Sequence, residues 1–102
     1  MAYAVGQTIE VCLALDLPPA RGIRRVVAVL ANERGEVIEL TEVPASASEC
    51  VLQDAAHTAL RGRADRPGVY RMRLLKAQDL RGVTRLEPPE ISLEVRDPFD
   101  PA

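Results

Sequence analysis

Asp65-Arg66-Pro67-Gly68-Val69-Tyr70-Arg71-Met72-Arg73-Leu74-Leu75-Lys76-Ala77-Gln78-Asp79-Leu80-Arg81-Gly82 settles the architecture of this chain. Pro67-Gly68 is a turn signal, Val69 to Ala77 is an apolar run with β-favouring residues, and Asp79 to Gly82 is a second turn signal. The stretch reads as a central strand with Tyr70 near its start. Gly68 belongs to the opening turn. Asp79 suits the closing turn because its carboxylate bonds its own backbone, and Gly82 supplies a positive φ.

Outward from that strand, the same period recurs. Thr8 to Asp16 alternates, with Ile9, Val11, Leu13 and Leu15 on one face, the pattern of a half-buried strand. Asp16 to Gly22 carries Pro18-Pro19 and reads as a loop. Ile23 to Asn32 is almost continuously apolar after Arg24-Arg25, as in a strand covered on much of both faces. Asn32-Glu33-Arg34-Gly35 has turn chemistry, and Glu36 to Thr41 returns as a hairpin partner. Pro44 to Ser48 is loop material. Cys50-Val51-Leu52 has the character of a short strand. Asp54 to Arg61 fits either a short helix capped by Asp54 or a strand; strand is favoured, because the run is short and Gly62 with Pro67-Gly68 follow it. Val83 to Leu86 begins a return, Pro88-Pro89 interrupts it, and Ile91 to Val95 resumes it. The prolines place this last strand at a sheet edge.

About seven short strands with hairpin turns make an all-β, antiparallel sandwich over residues 1–96, with 97–102 a C-terminal tail or linker. The chain, at 102 residues, is long enough for a core without metals or staples. With 3% aromatic residues and no Trp, it has little with which to stack on sugars or bases. A net charge of −2 argues against a nucleic-acid backbone as partner. No run reaches the length of a membrane span. Cys12 and Cys50 sit in no CxxC and beside no His pair, which excludes zinc and thioredoxin-like chemistry but leaves a single bridge open. Free thiols in the cytoplasm are expected if Met1 is the natural start, and an extracellular setting if the domain is cut from a longer chain.

The order Gly6-Gln7-Thr8-Ile9-Glu10-Val11, Gly22-Ile23 to Leu30, Gly35, Pro67-Gly68-Val69-Tyr70, Lys76 to Gly82 and Ser92-Leu93-Glu94-Val95 resembles bacterial immunoglobulin-like modules. The resemblance covers most of the chain and implies an immunoglobulin-like β-sandwich. Val83 follows Gly82 where those modules usually have Asn. Met72 stands, two after Tyr70, where antibody-like domains carry their second Cys. The resemblance gives Tyr70 a role as the tyrosine corner, its hydroxyl bonding a backbone group just upstream.

Facing supplies the one functional hint. With Tyr70, Met72 and Leu74 inward, Arg71, Arg73 and Leu75 point outward. With Val26, Ala28 and Leu30 inward, Val27, Val29 and Ala31 lie outside. Together these make an apolar stripe rimmed by arginines, and Val27, Val29, Arg71 and Arg73 are the candidate partner-binding residues. A β-bulge near Leu74-Leu75 is the competing arrangement, since it flips the parity. No catalytic, metal or cofactor set emerges: His57 is isolated, and Ser46, Ser48 and Ser92 lie in no nucleophile elbow. The expected function is a non-enzymatic interaction or spacer module whose partner is a protein or neighbouring domain, with a homodimer through the sheet face as one form. A carbohydrate-binding accessory domain is the alternative. Neither nucleic acid nor membrane is expected as a partner.

Overall fold

A computed structural model of the chain describes residues 2–14, 24–43 and 57–97. Eight strands run in order: β1 (Ala2–Ala4), β2 (Thr8–Ala14), β3 (Arg25–Ala31), β4 (Val37–Glu42), β5 (His57–Arg63), β6 (Gly68–Asp79), β7 (Gly82–Leu86) and β8 (Ser92–Arg96). No helix occurs among the described residues. The strand preference over 54–61 therefore holds from His57 onward. Asp54 to Ala56, Cys50 to Leu52 and the loops over 16–22 and 44–48 lie outside the described residues.

All eight strands belong to one sheet, ordered β1-β8-β6-β3-β4-β5-β2, with β7 added to the far half of β6. Every pairing is antiparallel except β1 with β8. The two ends of this order, β1 and β2, are neighbours in the chain. Between them Gln7 N–H donates to the Ala4 carbonyl, Gly6 N–H to Ala64 and Val5 N–H to Arg96. The sheet thus curls almost into a barrel, which hides most of its edges. β8 is not at an edge, contrary to the sequence expectation. Pro88 and Pro89 fall in the connection before it, where no ladder bond is needed, and β1 covers its outer side.

Alternation explains which residues fill the interior. Ile9, Val11 and Leu13 from β2, Val26, Ala28 and Leu30 from β3, and Ile38 and Leu40 from β4 are all buried. Leu60, Tyr70, Met72, Leu75, Leu93 and Val95 close the core from β5, β6 and β8. At the β4–β5 seam the buried Thr58 hydroxyl donates to Glu42, which also takes Arg24 at 2.9 Å. That pairing matters because β4 and β5 share only two registered pairs, Thr41 with Arg61 and Glu42 with Leu60.

Parity along β6 changes once. Leu30 pairs with Met72 and Val29 with Leu74, so Arg73 is an extra residue with no partner on β3. Beyond this bulge Leu75 and Ala77 turn inward and Leu74 and Lys76 outward. The outward placement of Leu75 is therefore wrong: it is 2% exposed. Cys12 is disulfide-bonded, so of the two states the sequence left open this residue takes the bridge and not the free thiol. Cys50, the other cysteine, lies outside the described residues.

Candidate functional site

Tyr70 and the turns beside it form one end of the curled sheet. Its ring is buried, and its hydroxyl donates to the Arg66 carbonyl at 2.8 Å, four residues upstream. Burial, assisted by the nearby Glu36 carboxylate, raises the phenol above its usual 10.0 and keeps it a neutral donor. Tyr70→Phe is expected to lower stability by about 1 kcal/mol in urea titration, the net value of one buried hydrogen bond. An unchanged midpoint would refute this role.

The β3–β4 turn folds against the same end. Asn32 Oδ1 accepts from the Arg34 and Glu36 amides, while its Nδ2 donates to Glu36 Oε1 at 2.9 Å. Arg34 pairs with Glu36 at 2.8 Å and also reaches the Pro67 carbonyl, crossing a hollow of about 320 Å³ between the two turns. Gly68 lies against the Asn32 side chain with φ of 147°. These contacts tie Asn32 and Arg34 to the two turns, so the hollow is bridged by the scaffold's own side chains. The Asn32 amide, followed by Arg34 and Arg66, holds the Glu36 carboxyl below its ordinary 4.5. A depressed folded-state value means stability that is complete above the unfolded value and lost as pH falls through the folded one. Glu36→Gln should therefore melt below the native protein at neutral pH, with the gap closing below about pH 4.5. A gap independent of pH would contradict the network.

Asp79 and Gly82 close the β6–β7 hairpin through the two-residue loop Leu80-Arg81. Asp79 Oδ1 accepts from Arg81 N–H at 2.8 Å, and Gly82 takes φ of 123°. Both residues are turn formers, as their chemistry indicated. The hairpin stands clear of the barrel: Leu80 is 83% and Val83 58% exposed.

The outer face of β4, β3, β6 and β7 brings the four predicted binding residues together. Directly opposed residues of an antiparallel sheet share a face, so the register defines its rows. Thr41, Val27, Lys76 and Arg85 form one row. Glu39, Val29 and Leu74 form the next, and Val37, Ala31 and Arg71 a third. Arg25, Gln78 and Val83 extend it toward the hairpin. Val27, Val29, Ala31 and Leu74 are half-buried rather than open, because long side chains flank them, while Arg71 and Arg73 are exposed. The sequence reading missed Lys76, Arg85 and Arg25 here. A two-residue loop between Asp79 and Gly82 would have set Lys76 opposite Arg85, and that signal was available.

Among the described residues, no three ligand-type His, Cys, Asp or Glu side chains converge on a point. Comparison with protein-family models, with curated proteins and with solved structures gives no match.

Proposed function

We infer that the chain is an immunoglobulin-like module that binds a protein through the outer face of β3, β6 and β7. The fold part of this reading is supported by the pairing order. β2 pairs with β5, and β3, β6 and β8 lie side by side, as B with E and C with F and G do in immunoglobulin sandwiches. The Tyr70–Arg66 bond stands at the start of the strand that carries the tyrosine corner in that fold.

The observation that carries the binding part is a half-buried apolar centre, Val27, Val29 and Leu74, rimmed by exposed Arg71, Arg73 and Arg85. Apolar centres with arginine-rich surrounds are the anatomy of protein interfaces. The glycan alternative gains nothing on this face. Of the two described aromatic residues, Tyr70 is buried and Tyr3 gives its hydroxyl to the Glu10 carbonyl at 3.4 Å.

Site-specific photo-crosslinking tests the reading in the cell that makes the protein. A benzoylphenylalanine in place of Val37, which lies on this face and is 63% exposed, should give a discrete protein adduct. The same group in place of exposed Gln7 should not. Equal adducts from both sites, or none from Val37, would refute the assignment.

A further inference from the structure

Taking that face as the docking surface, we propose that its occupant is an acidic protein segment carrying apolar residues, and not a second copy of this chain. Cations elsewhere in the described structure, apart from the exposed Arg63 at the end of β5, are neutralised locally. Arg24 pairs with Glu42, Arg34 and Arg66 with Glu36, Arg61 with Glu10, Arg81 with Asp79 and Arg96 with Glu94, at 2.8 to 3.7 Å. Arg25, Arg71, Arg73, Lys76 and Arg85 make no ion pair among the described residues, and all five lie on this one face. The chain as a whole carries −2, so composition does not account for the cluster.

Lys76 lies directly across the ladder from Arg85. Like charges in that position repel, and neither makes an ion pair among the described residues. An incoming carboxylate would relieve them, and guanidinium forks hold carboxylates through paired hydrogen bonds. Between the cations, Val27, Val29 and Leu74 offer a strip that rewards an apolar side chain and offers a phosphate nothing. A duplex would also approach a chain of net negative charge.

A second copy fits poorly. Stacking two such faces about a two-fold axis parallel to the strands sets β7 of one over β4 of the other and β6 over β3, whose outward Arg25, Val27, Val29 and Ala31 include no carboxylate. The outward residues of β4 are Val37, Glu39 and Thr41. One carboxylate would then face Arg71, Arg73, Lys76 and Arg85. An axis across the strands sets cations on cations instead. Both arrangements leave uncompensated repulsion.

Titration of the isotopically labelled full chain, followed by NMR, distinguishes the outcomes. The probes are a synthetic peptide of alternating Glu and Val, its Lys-Val counterpart, and a short DNA duplex. The Glu-Val peptide should shift the amides of Val27, Val29, Arg71, Arg73, Leu74 and Lys76. Its affinity should fall about tenfold or more between about 50 mM and about 500 mM salt. The double variant Arg73→Glu/Lys76→Glu should lose at least about tenfold in affinity while melting no lower than the native protein, since Lys76→Glu removes the clash with Arg85. Equal binding of the Lys-Val peptide, tighter binding of the duplex at the same salt, or concentration-dependent dimerisation through these residues would overturn the acidic partner but keep the face as a docking surface. Shifts confined to other regions, or none with any probe, would overturn both.

Discussion

Gly62→Ala is expected to destabilise the fold by about 3 kcal/mol, the upper end of the cost of overpacking a core. Gly62 lies in β5 opposite Ile9 of β2, just past the last registered pairs between β4 and β5. A Cβ at this position would collide with the Glu39 carbonyl oxygen and stand 2.7 Å from a Leu40 methyl. A side chain could rotate away, but a backbone carbonyl in a ladder cannot move without shifting β4 itself. Urea titration should give a lower midpoint at an unchanged slope. A loss under about 0.5 kcal/mol, the size of an ordinary surface effect, would mean that β4 and β5 part more easily at this corner than their packing indicates.

Leu75→Ala is the second large effect, at about 3 kcal/mol within the usual range for emptying a buried leucine site. Its neighbour supplies the control. Leu74→Ala removes the same atoms from a half-buried, outward position and should cost under about 1 kcal/mol. The contrast reports on the bulge at Arg73 directly, since strict alternation from Tyr70 would reverse the order of the two variants. Equal losses, or the reversed order, would remove the bulge from the fold.

These positions also mark where sequence reasoning reached and where it stopped. The β3–β4 hairpin was legible because alternation and a glycine turn act within a few residues: Gly35 does take a positive φ, at 79°. Tyr70, Asp79 and Gly82 were legible for the same reason, since each bonds or turns locally. The bulge stood only as the competing arrangement near Leu74-Leu75, because one added residue leaves composition unchanged and the partner's register alone sets it at Arg73. Val69 to Ala77 was correctly a strand, yet its second half faced the wrong way. β1 could not be read at all. Ala2-Tyr3-Ala4 is too short for a period, and its pairing is with β8 at the far end of the chain. Gly62 was noticed as an obstacle to helix, whereas its place is set by the backbone lying over it. The candidate face was half legible. Val27, Val29, Arg71 and Arg73 follow from parity before the bulge, while the union of Lys76, Arg85 and Arg25 with them depends on three-strand register.

The open side of β7 has a further consequence. β7 pairs only with β6 among the described strands, and all its residues but Leu86 are exposed. Such an edge is a template for uncontrolled sheet growth, with Val83 and Leu80 as adhesive points. Two hairpins approaching edge to edge would bring their Arg85 and Lys76 side chains into one crowded positive field. The same charges would oppose that approach. Neutralising both of them should make the chain precipitate at concentrations the native protein tolerates, without lowering its melting temperature.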